Sequence, residues 1–276
     1  MAQRLLLLAL LFVAGATFAS AQPDYIGDGN KLLNERRYEL AVDAYTKAIA
    51  NQPKSTAAYY NRALAYSMMK RQDLALADVE MVLKLDPKHT DALVQRSYLY
   101  GEANQDSAAL HDLNAALALD TTNAFIYFNR AQTYARQKKL AEAIADYNRS
   151  ITLKPSVQSY IGRATARLSG NEPRLALSDV EWALKLDSMN ALAWLSRGEA
   201  YMAMNVADSA LWSWRRSSTI DPQGPYATYI QEQMAVMSAD ELGFRDSLFM
   251  DAARQISLVL PRSWYSASTD DGSTVT

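Results

Sequence analysis

Cysteine is absent from the 276 residues, and histidine occurs twice. The first absence excludes disulfides, thiolate metal sites, a cysteine nucleophile and a lipid-modified amino-terminal cysteine. The two histidines, His89 and His111, have neither a carboxylate nor a second histidine at helical metal-ligand spacing, so they read as surface or helix-flank residues. Long basic runs are also missing. None exceeds two residues (Arg36-Arg37, Lys70-Arg71, Lys138-Lys139, Arg215-Arg216), and the formal net charge is −2, which argues against a nucleic-acid partner. Gly27 and Gly29 lack the Lys-Ser/Thr that completes a phosphate loop, and no Gly-x-Ser-x-Gly elbow occurs. Carboxylates are plentiful, yet none forms a defensible acid/base pair. The expectation is a non-enzymatic protein with no catalytic residue, no cofactor and no metal. Asn148-Arg149-Ser150 is a formal glycosylation triplet, but it falls inside a packed helix and carries no weight.

The longest apolar run, Leu5 to Ala14, is too short to span a bilayer, which takes about 20 residues. With Arg4 before it and Ala19-Ser20-Ala21 after it, residues 1–21 read as a secretory signal that leaves Gln22 as the mature start. An exported chain without disulfides fits a bacterial periplasm better than an animal extracellular space, with secretion as the alternative. No membrane span is expected after cleavage.

What the chain has in abundance is periodicity. Ala41, Ala75, Ala109, Ala143, Ala176 and Ala210 follow one another at intervals of 34, 34, 34, 33 and 34 residues. Other columns keep the same register. Four residues after each alanine stands a bulky residue (Tyr45, Val79, Leu113, Tyr147, Val180, Trp214), sixteen before it another (Tyr25, Tyr59, Leu93, Tyr127, Tyr160, Trp194), and twelve before it a small one (Gly29, Ala63, Ser97, Ala131, Ala164, Gly198). Two antiparallel helices approach closely only where facing side chains are minimal, so a small column should face the alanine column while the large columns fill the flanks. Pro53, Pro87, Pro155 and Pro222 stop four of the six units.

At these columns the sequence resembles the tetratricopeptide repeat family, most fully in the last unit with Trp194, Gly198, Tyr201, Ala210, Trp214 and Pro222. The resemblance covers Gln22 to Pro222 and implies an all-α fold, an α-solenoid wound as a right-handed superhelix of helix–turn–helix repeats. The repeats fall at residues 22–55, 56–89, 90–123, 124–156, 157–190 and 191–224. The fifth departs from the pattern: Arg167 replaces the expected tyrosine, the connection from Pro155 to Tyr160 is one residue short, and Pro173 opens the second helix, where its missing N–H costs nothing. Beyond Pro222, Tyr226, Ile230, Met234 and Met237 mark one capping helix. Ser238 and Glu241 form a capping box for a second, carrying Leu242, Leu248, Phe249, Ala252 and Ile256, so that 225–260 reads as a helical cap. Residues 261–276, rich in Ser, Thr, Asp and Gly, read as a disordered tail.

A charge column runs beside the packing columns. Arg62, Arg96, Arg130, Arg163 and Arg197 precede the small column, and Asp78, Asp112, Asp146 and Asp179 follow the alanines. Asp28 replaces the first arginine and Ser213 the last aspartate. Forward pairing between repeats explains both omissions. It predicts Asp78–Arg96, Asp112–Arg130, Asp146–Arg163 and Asp179–Arg197, with Asp43 offset toward Arg62, as contacts that set register.

In the resembling family the first helix of each repeat lines a concave surface that receives a peptide or a partner helix. Carried onto this sequence, the partner-binding groove comprises Tyr60, Leu64, Met68, Val94, Tyr98, Phe125, Phe128, Ile161, Leu195 and Met202, with Ile26, Asn30, Gln132 and Leu192 beside them. Aromatics and methionines in such a patch are typical interface anchors. The family's carboxylate clamp is absent. Asn30 and Asn61 match its asparagines, but Ile26, Asp91 and Gln95 stand where it needs basic residues. The function these features imply is a protein–protein interaction scaffold in the periplasm or cell envelope, holding an apolar or aromatic segment of a protein partner. The alternative is a structural or self-associating module, a homo-oligomer or a chain whose groove its own carboxy-terminal segment fills.

Overall fold

The 34-residue period resolves into paired helices in a computed structural model that describes residues 23–236, 248–251 and 256–259. The expected secretory signal (residues 1–21) and the expected tail (residues 261–276) lie outside the described residues, as does the expected Ser238/Glu241 capping box. Thirteen helices run in order among the described residues: α1 (Tyr25–Asn34), α2 (Tyr38–Asn51), α3 (Thr56–Met68), α4 (Gln72–Leu85), α5 (Thr90–Glu102), α6 (Asp106–Leu119), α7 (Ala124–Arg136), α8 (Leu140–Leu153), α9 (Val157–Ser169), α10 (Pro173–Leu186), α11 (Ala191–Ala203), α12 (Ala207–Ile220) and α13 (Ala227–Val236). Odd-numbered helices from α1 to α11 open a repeat, and the even-numbered ones close it. The chain divides into two units, one through Leu99 and one from Tyr100. In the first unit α1 packs on α2, α2 on α3 and α3 on α4; in the second, α6 packs on α7 and each helix from α7 to α12 packs on the next, so the helices of each unit form a solenoid stack.

The hairpins are closed by one device used six times. Arg36, Lys70, Asn104, Lys138, Asn171 and Asn205 all have positive φ, between 57° and 60°. At each turn the N–H of this residue bonds back to a carbonyl of the last helical turn, and the next N–H reaches the carbonyl one residue earlier: Arg36 N to Leu33 O at 3.0 Å and Arg37 N to Leu32 O at 2.9 Å, for example. This is the Schellman termination, in which a left-handed residue satisfies orphan carbonyls. The opening helices are capped differently, by side chains: Asp24, Ser55, Asn123, Ser156 and Asn190 each accept from a first-turn N–H, and the His89 ring does the same for Ala92 N at 3.3 Å.

All six column alanines are 0% exposed, and the bulky residues four positions later are all buried. What faces the small column is the bulky one. A Cβ on Gly29 would lie 2.5 Å from the Tyr45 ring, and one on Gly198 would lie 2.2 Å from the Trp214 indole. Glycine stands opposite Tyr45 and Trp214 and Ala63 stands in the repeat that carries Val79, while in the fourth repeat Ala131 holds the small position and the Tyr147 ring lies against Gly162, 2.6 Å from where a Cβ would sit. The small and alanine columns also lie in the same core clusters, Ala131 with Ala143 and Ala164 with Ala176, each beside the bulky residue of its repeat.

The cap also departs from the sequence reading. α13 matches the first expected capping helix, and its Ile230 is buried against Leu195, Leu211 and Trp214. In place of a second helix through Leu248, Phe249 and Ile256, the backbone forms a two-stranded antiparallel ribbon, β1 (Leu248–Asp251) and β2 (Ile256–Val259), with Leu248 opposite Val259 and Asp251 opposite Ile256. Ile256-Ser257-Leu258-Val259 is a short, largely apolar run with two β-branched residues, a composition that also suits a strand.

Candidate functional site

The opening helices present the candidate surface. In the first unit Met68 is 60% and Tyr98 48% exposed, with Tyr60 and Leu64 half-buried beside them. In the second unit Phe125 is 59% exposed, Phe128 and Met202 are half-buried, and Phe125 stacks on Phe128 with centroids 6.3 Å apart. Phe128 in turn meets Tyr147 edge-on at 6.0 Å. Val94, Ile161 and Leu195 do not belong to this surface. All three are buried and serve the core, because on a helix wedged between neighbours the apolar stripe is wider than its exposed part.

Polar groups on the same face are mutually satisfied. Asn30 Oδ1 accepts from both Tyr45 Oη and Asn61 Nδ2, each at 2.8 Å, and Gln95 Nε2 donates to Ser67 Oγ at 2.8 Å. The two asparagines matching the clamp therefore bind each other. Tyr60 stacks on the His89 ring at 5.3 Å, and burial together with the nearby Asp91 carboxylate pushes its phenol up to about 12. Tyr45 and Tyr147 are likewise pushed up to about 12 by burial, so all three remain neutral hydroxyls at physiological pH.

The charge column is a structural device, and the forward scheme is wrong. Arg62 pairs with Asp78, Arg130 with Asp146 and Arg163 with Asp179, all inside one repeat and all through Nε and Nη2 to both carboxylate oxygens. None of Asp78–Arg96, Asp112–Arg130, Asp146–Arg163, Asp179–Arg197 or Asp43–Arg62 is the bidentate pair formed. Across an antiparallel hairpin closed by a short left-handed turn, residues 16 apart come face to face, and each of these pairs has that separation. Inter-repeat contact is still made, by the remaining guanidinium nitrogen. Nη1 of Arg62 reaches Thr46 Oγ1 at 3.0 Å, that of Arg130 reaches Asn114 Oδ1 at 2.8 Å, and that of Arg163 reaches Asn148 Oδ1, each on the preceding closing helix. Arg167, the departure in repeat five, adds a second cation to Asp179 at 2.7 Å. In repeat six, Arg197 takes Ser213 Oγ and Tyr201 Oη at 3.1 Å each, under the rings of Trp194, Tyr201 and Trp212.

One feature was not foreseen. Where the connection is a residue short, a cavity of about 220 Å³ opens among Phe125, Phe128, Ser150, Lys154, Ser156 and Gln158. No group of three or more His, Cys, Asp or Glu is arranged to hold a metal among the described residues, and none of their helices is long and apolar enough to cross a membrane.

Stacked helical hairpins with an apolar face on the opening helices define a helical-repeat scaffold of the kind that engages other proteins. The tetratricopeptide repeat profile matches residues 28–90, 124–157 and 161–225, more than half of the chain, and the chain belongs to that family. It is 36% identical over 86 residues to a tetratricopeptide repeat and J domain-containing co-chaperone of Cryptococcus neoformans, a match covering 29% of this chain and 16% of that one. The chain thus spans about a sixth of that curated relative's length. Among solved structures it is similar to PilW, a type IV pilus biogenesis factor (TM-score 0.69, 18% identity, 75% of this chain and 96% of that one). It also resembles YrrB, a repeat protein with an unusual peptide-binding site (TM-score 0.53, 19% identity, 69% and 99%). At these identities the structural likeness speaks for the fold.

Proposed function

We propose that the protein is a non-enzymatic adaptor of the cell envelope whose opening helices hold an apolar or aromatic segment of a partner protein. The observation that carries this reading is the exposure of Met68, Tyr98 and Phe125 on opening helices whose remaining large apolar side chains are buried or half-buried. Apolar groups left in water at equivalent faces of successive repeats mark contact surfaces. The peptide-binding site named for YrrB supports a segment as the ligand class, and the co-chaperone supports protein partners. The export signal read in residues 1–21 supports the periplasm as the compartment, and processing there is checked by amino-terminal sequencing of the protein recovered from a periplasmic fraction.

The test is crosslinking in intact cells with wild-type protein and with Tyr98→Ala plus Phe125→Ala. Both side chains are half-exposed or more, so the double variant should fold normally while losing the crosslinked partner. Equal recovery by the folded variant would sink the reading.

A further inference from the structure

The cavity at the fourth-to-fifth repeat connection has a counterpart at the third opening helix, α5, whose cap alone among the described opening helices carries a ring. Tyr60 on α3 and Phe128 on α7 occupy the same repeat position, as do the helix caps that follow each, His89 and Ser156. In the first case the His89 ring does two things: its Nδ1 accepts the Ala92 N–H, and its face stacks on Tyr60 at 5.3 Å. In the second, Ser156 keeps only the capping role, accepting from Ser159 N at 3.2 Å, and its short side chain leaves the place beside Phe128 open. The floor below is closed and polar groups there are satisfied, since Ser159 Oγ bonds both Ser156 Oγ at 2.8 Å and Ser150 Oγ at 2.9 Å. The walls are Phe125 and Phe128, and the exposed ammonium of Lys154 stands at the rim with no ion-pair partner among the described residues.

We infer that this cavity is a specificity pocket for an aromatic side chain flanked by a carboxylate, supplied by the partner segment. The ring takes the place that His89 fills in the counterpart repeat, stacking on the two phenylalanines, and the carboxylate neutralises Lys154. A bare apolar groove accepts many segments. A void beside Phe128 with a cation at its rim favours one chemistry, the ring through burial against the phenylalanines and the carboxylate through a modest attraction to Lys154. The inference rests on the groove reading above and narrows its partner class.

The test uses the full chain and 3-(4-fluorophenyl)propionate followed by fluorine NMR, with the corresponding amide as the neutral probe. Saturable binding of the acid at millimolar concentration is expected. Ser156→His, which installs the ring present at the equivalent position and keeps a helix cap, should weaken it by about tenfold or more by occupying the pocket. Lys154→Gln should remove the acid's advantage over the amide, about threefold to fivefold for one exposed charge pair. No saturable binding, undiminished binding to a folded Ser156→His variant, or no preference for acid over amide overturns the pocket assignment. A chain that fails these titrations yet still loses its partner on Tyr98→Ala plus Phe125→Ala keeps the groove function with a different partner chemistry.

Discussion

At the scale of single residues, the fold is held by complementary volumes and by one guanidinium–carboxylate motif. Gly198→Ala drives a methyl into Trp214, and overpacking of this kind costs about 1–3 kcal/mol. Adding Trp214→Val, which recreates the Ala63/Val79 combination, should recover part of that loss. Urea denaturation of both variants checks it, and a double variant no more stable than Gly198→Ala would show that the pairing is not the constraint. Asp179 is the most demanding member of the charge column, because its carboxylate, 2% exposed, serves both Arg163 and Arg167. Asp179→Ala leaves two partly buried guanidinium groups unmatched and should cost about 3–5 kcal/mol, more than Asp78→Ala with its single arginine. Glu199 carries the reverse case. Burial raises its pKa, the Tyr229 hydroxyl at 3.4 Å offsetting this only in part, so the folded chain holds the proton more tightly than the unfolded one. Stability from this group is therefore present below the ordinary glutamate range and falls as pH rises through the raised value. Glu199→Gln should be more stable than wild type at pH 7, with the difference closing near pH 4, as thermal melts at the two pH values will show.

At the scale of elements, each hairpin turn places a residue in the left-handed region, and none of the six is glycine. Asn104, Asn171 and Asn205 tolerate it through their short polar side chains, whereas Arg36, Lys70 and Lys138 bear the full Cβ clash. Lys70→Gly and Lys138→Gly should each stabilise by about 0.5–1 kcal/mol, net of the greater freedom glycine gains when unfolded. Equal or lower urea midpoints would mean that the lysine stems contribute packing that outweighs the strain. The turns at Arg36, Lys70 and Lys138 are not legible in the sequence for the same reason: lysine and arginine carry no turn signature, and the hydrogen-bond pattern that selects their conformation comes from the helices on either side.

At the scale of the molecule, a stack of repeats must cover the apolar face of its last hairpin. α13 does this through Ile230, buried on Leu195, Leu211 and Trp214. Ile230→Ala should cost about 2–4 kcal/mol, and its effect belongs to the cap rather than to the groove, so partner binding by the folded variant should be unchanged. A circular dichroism melt identical to wild type would remove α13 from the account of stability.

The amino-acid sequence by itself determined the repeat length, the buried alanine column and the family, because a 34-residue register of small and large residues admits one way of nesting hairpins. It also located the apolar face, though not its depth: Phe125 and Val94 look equally apolar in the chain, and only packing leaves one in water and the other in the core. The arginine pairing was read in the wrong direction, since column statistics are symmetric between neighbours while the reach of a guanidinium across a tight turn is not. The cavity beside Phe128 was decided by tertiary structure alone. Serine and histidine both cap helices in this chain, and only the packed positions show that His89 covers Tyr60 with a ring while Ser156 leaves room beside Phe128.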